Sequence, residues 1–250
     1  AEDKLVILVS HGHDDHCDDA FIKELPNNAR IVIPKFKSPG VRKRLESLGK
    51  LNISEIGEGI SIGEWTFNQH IFSDHSHDDA CIEVKNDSFY FLHGNDNSFA
   101  FDDITVKKIR LNSQGLKYKY YASQTNIANA YPYRYPQFES NYVDISREKI
   151  KRTIGYVIDN AERIAIDNLI SYAGYTQSYI LLDKDTFYPN PENVNELISE
   201  ITDIRFMDFE PGDVINAGQG IIKSFYSEFL EKIARNSHYL FSDRSIDMSN

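Results

Sequence analysis

Three histidines and four aspartates fall within ten consecutive residues, SHGHDDHCDD at positions 10–19, directly after the apolar segment LVILV. Imidazole nitrogen and carboxylate oxygen are ligands that transition metals of intermediate hardness favour, and a catalytic site leaves one coordination position open for water. His11 and His13 flank Gly12, so an extended backbone can direct both rings to one side. Asp15 and His16 enter the following helix and could hold a second ion nearby. The spacing therefore predicts a site for one or two divalent metal ions, with zinc, iron or manganese as the candidates.

The segment HGHDDH at 11–16, placed after an apolar strand, resembles the His-x-His-x-Asp-His signature of the metallo-β-lactamase superfamily. A chance cluster of surface histidines and aspartates is the alternative interpretation. The resemblance implies one more metal-binding histidine before a later hairpin and an aspartate after that hairpin. In the segment SDHSHDDACIEVKNDSFYFLHGND, these positions correspond to His77 or His75, with His77 favoured, and to Asp96.

The same resemblance implies how the ligands are shared between two ions. One ion is bound by His11, His13 and His77 (or His75), the second by Asp15 and His16, and both by Asp96. Asp15, or Asp14 beside it, would orient the attacking water. Asp79 and His93 are candidates for orienting metal-bound imidazoles, and each could equally be a solvated turn residue. The superfamily's last metal-binding histidine has only one candidate after Asp96, namely His238, which could also be a surface residue.

Three shorter segments, Asn95-Asp96, Tyr131-Pro132 and Pro211-Gly212-Asp213, resemble the branch of the superfamily that contains CMP-N-acetylneuraminate hydroxylase. This branch implies an iron-dependent oxygenase, whereas the majority chemistry of the superfamily implies a hydrolase that uses metal-activated water. Cys17 and Cys81 are too few to build the iron-sulfur domain of the hydroxylase. A non-catalytic scaffold with the same fold is the third interpretation.

The elements that must position these residues begin as β-α-β-α. Apolar runs predict strands at 4–9 and 29–34, and helices are expected at 18–25 and 38–49, the latter with Ser38 as N-cap and Pro39 as the first helical residue. Residues 53–123 are expected to form mostly antiparallel strands, including 104–111 and 116–123, with a hairpin at KND. Helical spacing of apolar residues predicts one long helix over 146–171, capped by Ser146, and shorter helices near 192–202 and 219–236.

These elements and the resemblance predict an α/β protein with a metallo-β-lactamase-like αββα sandwich and a helical C-terminal part. The expectation is a single domain over 1–250, with a core at about 4–145 and a helical extension at about 146–250. Superfamily members have several strands before the first histidine motif, whereas ten residues precede His11. The N-terminal strands are therefore expected to be missing, trimmed, or supplied by a partner chain or domain.

Charge and composition limit the partners. The formal net charge of −11 disfavours nucleic acid, and no apolar stretch approaches the roughly 18 to 20 residues of a membrane span. Two cysteines far apart in sequence suggest no disulfide framework, so a cytoplasmic protein that acts on a small-molecule substrate is expected. The segment AYPYRYPQF at 130–138 places aromatic residues around Arg134, which suits an anionic ring-containing ligand or an aromatic loop packed on the core.

Overall fold

The computed structural model describes residues 5–72, 79–96, 100–125, 137, 141–166, 168–172, 197–207, 214–216 and 220–222. Its helices are α1 (Asp19–Glu24), α2 (Gly40–Ser47), α3 (Asp103–Ser113) and α4 (Tyr142–Ile164). Its strands are β1 (Val6–Leu8), β2 (Arg30–Ile33), β3 (Ile53–Glu55), β4 (Ile60–Ile62), β5 (Trp65–Ile71), β6 (Ala80–Lys85), β7 (Phe89–His93), β8 (Tyr118–Gln124), β9 (Asn168–Tyr172), β10 (Arg205–Met207), β11 (Val214–Asn216) and β12 (Gly220–Ile222). Residues 197–201 are also helical.

The first three strands form a small parallel sheet in the order β1-β2-β3. Helix α1 begins where the Asp18 carboxylate accepts a hydrogen bond from the Phe21 amide at 2.6 Å. Helix α2 starts one residue later than predicted, because Pro39 and not Ser38 is its N-cap. The predicted β-α-β-α opening is otherwise confirmed, and it places β1 directly before the histidine motif.

The larger sheet has seven strands in the order β10-β9-β8-β7-β6-β5-β4. Pairing is antiparallel from β4 to β7 and parallel from β7 to β10, so the prediction of a mostly antiparallel run over 53–123 holds only for its middle. The KND hairpin is confirmed, since the Asn86 side chain accepts from the amides of Ser88 and Phe89.

The predicted strand at 104–111 is wrong, because these residues belong to helix α3. The Asp102 carboxylate caps this helix by accepting from the Thr105 amide at 2.6 Å. Val106 and Ile109 then lie one turn apart on its buried face. The helix is the crossover that makes β7 and β8 parallel.

Helix α4 is shifted toward the N-terminus relative to the predicted 146–171. It begins after Asn141, and Ser146 lies buried within it and is not its cap. It ends at Ala165, which adopts a left-handed conformation with φ 57° and ψ 51°. Residues 168–171, predicted as the end of this helix, instead belong to the strand β9 of the large sheet.

Three hydrophobic clusters define the layers between Leu5 and Met207. One packs α1 and α2 on the small sheet, with Ile22, Val41 and Ile31 as members. The second joins the two sheets through residues such as Val32 and Ile82. The third packs α3 and α4 on the far face of the large sheet and is the largest of the three. The predicted αββα order of layers is thus present.

The chain divides into two compact units, Ala1–Asp208 and Phe209–Asn250. In the second unit the structure describes one antiparallel pair, β11 with β12. Residues 220–222 are therefore strand, in contrast to the helix predicted near 219–236, while 197–201 confirm part of the helix predicted near 192–202. Within the part of the chain that the structure describes, no helix combines the length and apolar character needed to cross a bilayer.

Candidate metal centre

The histidine motif and Asp96 follow strands of different sheets, and they meet where these two strands end. His11 follows β1 of the small sheet, and Asp96 follows β7 of the large sheet. His11 is buried, and its Nε2 atom lies 3.5 Å from one carboxylate oxygen of Asp96. His13 Nδ1 lies 2.7 Å from His11 Nε2 and 3.9 Å from the same Asp96 oxygen. Two strand ends that are 85 residues apart in sequence therefore build one cluster of donor atoms.

The donor atoms of His11, His13 and Asp96 all lie within 4.8 Å of one another, which is the spacing of ligands around a common cation. Two imidazole nitrogens bound to one zinc or iron ion at about 2.1 Å lie about 3 Å apart, close to the distance found between His11 and His13. Two neutral nitrogens and one carboxylate oxygen form a donor set that such ions favour. The residues present therefore fit a divalent transition metal.

A second group of donors faces the other oxygen of Asp96. His16 Nε2 lies 3.2 Å from this oxygen and 3.6 Å from an oxygen of Asp15. The tight turn that places His16 here is closed by hydrogen bonds from the His16 and Cys17 amides to the His13 carbonyl. Asp96 thus presents one oxygen to His11 and His13 and the other to His16, an arrangement that suits a carboxylate shared by two ions.

The Ser10 side chain lies behind two of these histidines. Its hydroxyl oxygen is 3.3 Å from Nδ1 of His11 and 3.2 Å from Nδ1 of His16. Ser10 therefore contacts both rings on the side away from Asp96 and helps to orient their Nε2 atoms toward that carboxylate.

Asn95 forms the turn that delivers Asp96. Its φ of 55° is in the left-handed region, which Asn tolerates better than most residues. Its side-chain amide donates to Asp79 and lies 3.1 Å from His11 Nδ1. Its carbonyl accepts from the Tyr172 hydroxyl, and its amide donates to His93 Nδ1 at 3.1 Å. Asn95 therefore ties the end of β7 to the residue that precedes β6, to the end of β9 and to the first histidine.

The electrostatics of the cluster separate its histidines. Burial, with the neighbouring His16, lowers the pKa of His11 to about 4, so this ring is neutral and available as a ligand near pH 7. Burial also acts to lower the pKa of His16, but the hydrogen bond and charge of Asp96 outweigh it, and the net shift is upward. The hydrogen bond from His16 lowers the pKa of Asp96, whereas burial raises that of Asp79. An ionised carboxylate thus lies among imidazoles.

The structure brings together His11, His13, Asp15, His16 and Asp96 from the predicted set. His75, His77 and His238 lie outside the described residues, as do Tyr131, Arg134 and the segment 211–213. Asp14 is exposed and points to Arg44, with 2.8 Å between the charged atoms. Asp79 and His93 both contact Asn95, and the role predicted for them in orienting metal-bound imidazoles stays a prediction.

Sequence reasoning missed Ser10, Asn95, Tyr172 and Arg44 as neighbours of the site. The position of Ser10 at the end of a buried strand and that of Asn95 before the shared aspartate were available signals. Nothing local in the sequence connects Tyr172 or Arg44 to the histidine motif, since their contacts depend on tertiary structure.

No protein-family model and no curated protein matches the chain. Among solved structures, it is similar to CmlA, a diiron beta-hydroxylase from Streptomyces venezuelae, with 16% identity, TM-score 0.54, and coverage of 80% of this chain and 42% of CmlA. It is also similar to a possible metal-dependent hydrolase from Veillonella parvula, with 15% identity, TM-score 0.51, and coverage of 78% and 69% of the two chains. A third is the metallo-beta-lactamase fold protein YhfI from Bacillus subtilis, with 12% identity, TM-score 0.49, and coverage of 82% and 75%.

The likenesses to CmlA and to the protein from Veillonella parvula show the fold. The chain has the metallo-β-lactamase fold, as its histidine motif implied, and it spans about two fifths of the length of CmlA. Proteins that share this fold include a diiron hydroxylase and a protein described as a possible metal-dependent hydrolase. The resemblance to the CMP-N-acetylneuraminate hydroxylase branch stays a prediction.

Proposed function

We propose that this chain is a metal-dependent hydrolase that acts on a small-molecule substrate and uses one or two divalent ions, zinc or iron being favoured. The observation that supports the proposal most directly is the convergence of His11, His13 and Asp96 within 4.8 Å. The net charge of −11 supports a small molecule over nucleic acid as the substrate.

A bound divalent cation would lower the pKa of a coordinated water and polarise a carbonyl or phosphoryl oxygen of the substrate. The chain's own residues determine where this happens. His11 and His13 hold imidazole nitrogens toward the cation position, and Asp96 supplies negative charge to it. The exposed Asp15 lies at the open side of the cluster, where it can accept a proton from the attacking water, and His16 lies between Asp15 and Asp96.

Metal content tests the proposal. Purified protein is analysed for zinc, iron and manganese alongside Asp96→Asn and the matched variant Asp103→Asn, whose carboxylate is exposed and pairs with Arg163 far from the histidine motif in sequence. We expect at least one ion per wild-type chain, loss of most of it in Asp96→Asn, and wild-type content in Asp103→Asn. Wild-type protein that stays free of metal after incubation with each ion would refute the proposal, as would full occupancy of Asp96→Asn.

An iron-dependent oxygenase is the second candidate. It is supported by the way the two oxygens of Asp96 face different histidines, which suits a pair of ions, and by the fold shared with a diiron beta-hydroxylase. Iron in freshly purified protein together with oxygen uptake in the presence of a chemical reductant would favour the oxygenase. Zinc without oxygen uptake would favour the hydrolase.

A further inference from the structure

Arg44 on helix α2 uses all three nitrogens of its guanidinium group to contact residues of the segment 12–19, which runs from the histidine motif into helix α1. Nη1 donates to the Gly12 carbonyl at 2.6 Å, and Gly12 lies between His11 and His13 in the sequence. Nη2 donates to the Asp14 carboxylate at 2.8 Å, and Nε donates to the Asp19 carboxylate at 2.7 Å. One side chain thus binds the loop at its start, its middle and its exit into α1.

The four aspartates of this segment divide by their partners. Asp14 and Asp19 pair with Arg44, and Asp18 caps helix α1. Asp15 instead lies 3.6 Å from His16, on the side of Asp96. Neighbouring carboxylates repel one another. The positive charge of Arg44 offsets this repulsion for Asp14 and Asp19, which do not face Asp96.

Helix α2 also packs closely on the loop. A Cβ atom added at Gly12 would lie 3.4 Å from the Val41 methyl group, which is van der Waals contact, so the helix packs directly against the backbone between His11 and His13. Val41 and Leu45 anchor the helix in the core shared with the small sheet. The position of Arg44 is therefore fixed by the buried face of α2.

We propose that Arg44 is a positioning residue of the metal centre, which holds the backbone of residues 11–16 so that His11, His13 and His16 converge on Asp96. The inference rests on the proposed metal function. The planar guanidinium is required because three acceptors in different directions are satisfied at once, which the single ammonium group of lysine does not reproduce. Groups that support metal ligands from behind typically contribute about 10-fold to 100-fold in metal affinity.

The test compares Arg44→Met and Arg44→Lys with Arg42→Met in the full chain. Arg42 lies on the same helix and pairs with Glu55 and Glu46, so its variant removes a comparable surface ion pair without touching the loop. The first readout is the affinity for zinc and for cobalt, with the cobalt absorption spectrum reporting ligand geometry. The second is amide hydrogen exchange of residues 11–17 in chelator-treated protein, which requires no metal.

We expect both Arg44 variants to bind zinc about 10-fold to 100-fold more weakly than wild type, with an altered cobalt spectrum. Their loop amides, including those of His16 and Cys17 that donate to His13, should exchange faster. Arg42→Met should match wild type in both measurements, and a common melting temperature among the variants would exclude a general loss of stability.

The two proposals fail in different ways. Wild-type affinity and wild-type loop exchange in Arg44→Met would overturn the positioning role while leaving the metal centre intact. Wild-type protein that binds no metal would refute the proposed function, and the exchange data would then decide alone whether Arg44 orders the loop. If Arg44→Met does not fold, Arg44→Lys carries the same comparison, and full affinity in it would overturn the requirement for a guanidinium.

Discussion

At the scale of single residues, the Asp96 carboxylate lies between two imidazoles, those of His11 and His16, whose pKa values are shifted in opposite directions. The pKa of His11 is lowered to about 4 by burial, whereas that of His16 is raised because Asp96 outweighs the effect of burial. Asp96 therefore favours the protonated form of the neighbouring His16, whereas the ring of His11 is neutral near pH 7. Because protons and a metal ion compete for the same imidazole nitrogens, metal affinity should fall as the solution becomes more acidic.

His93 provides a prediction on pH. Burial, with the nearby His16, lowers its pKa to about 4, and its Nδ1 atom accepts from the Asn95 amide. A histidine whose folded pKa lies below its unfolded value contributes stability that is complete above about pH 6.5 and is lost as the pH falls toward about 4. This shift is worth up to about 3 kcal/mol.

We therefore expect His93→Gln to lose less unfolding free energy on acidification than wild type does. Glutamine retains an acceptor for the Asn95 amide but does not titrate. Urea unfolding of chelator-treated protein at about pH 7 and at about pH 4.5 measures the two losses, and all other titrating groups are common to both proteins. Equal losses in the two proteins would show that His93 is not responsible.

At the scale of elements, the segments predicted well are those whose signals are local. Strand β2 is a short buried apolar run, and the KND hairpin and the helix near 18–25 depend on neighbours in sequence. The segment 104–111 begins with three β-branched residues, Ile104, Thr105 and Val106, which favour a strand. The cap at Asp102, one residue before the helix, was the stronger signal.

The boundary after α4 was missed because no glycine or proline marks it. The apolar spacing of the helix continues into 168–172, where Leu169 and Ile170 are buried as strand residues between β8 and β10. The helix is instead stopped by Ala165, whose left-handed conformation is uncommon for a residue with a Cβ atom.

This boundary yields a prediction on stability. Ala165→Gly should raise the unfolding free energy by about 0.5 to 1 kcal/mol, because glycine adopts the left-handed conformation without the steric cost that alanine has. The matched change Ala161→Gly, in the buried helical interior, should lower it by about 1 kcal/mol or more. Urea unfolding of both variants is the measurement, and destabilisation by Ala165→Gly would contradict the expected backbone strain.

At the scale of the whole molecule, the site depends on both sheets at once. The motif at 11–16 was recognisable from sequence because its ligands are adjacent, and Asp96 was found through the resemblance. Their convergence is a property of the layered fold, in which the ends of β1 and β7 reach the same edge while residues such as Val32 and Ile82 join the sheets beneath them. Contacts between residues far apart in sequence, such as Arg44 with Gly12 and Tyr172 with Asn95, cannot be predicted from the local spacing of residue types.

Because the ligands come from two sheets, metal binding should stabilise the fold as a unit. A ligand that binds only the folded state raises the unfolding free energy by about 2.7 kcal/mol at 100 times its dissociation constant. Trp65 is the single tryptophan and packs at the layer between the sheets, in edge contact with Phe89, so its fluorescence reports the unfolding of this layer.

We expect zinc added at about 100 times its dissociation constant to raise the unfolding free energy of chelator-treated wild-type protein by about 2.7 kcal/mol, followed by Trp65 fluorescence in urea. His13→Ala should lose most of this gain at the same zinc concentration, since it removes one of three converging donors while its exposed ring contributes little to the core. Asp103→Asn should retain the full gain. An identical urea midpoint with and without zinc, at saturation shown by direct binding, would mean that the metal also binds the unfolded chain and that the two sheets are not linked through this site.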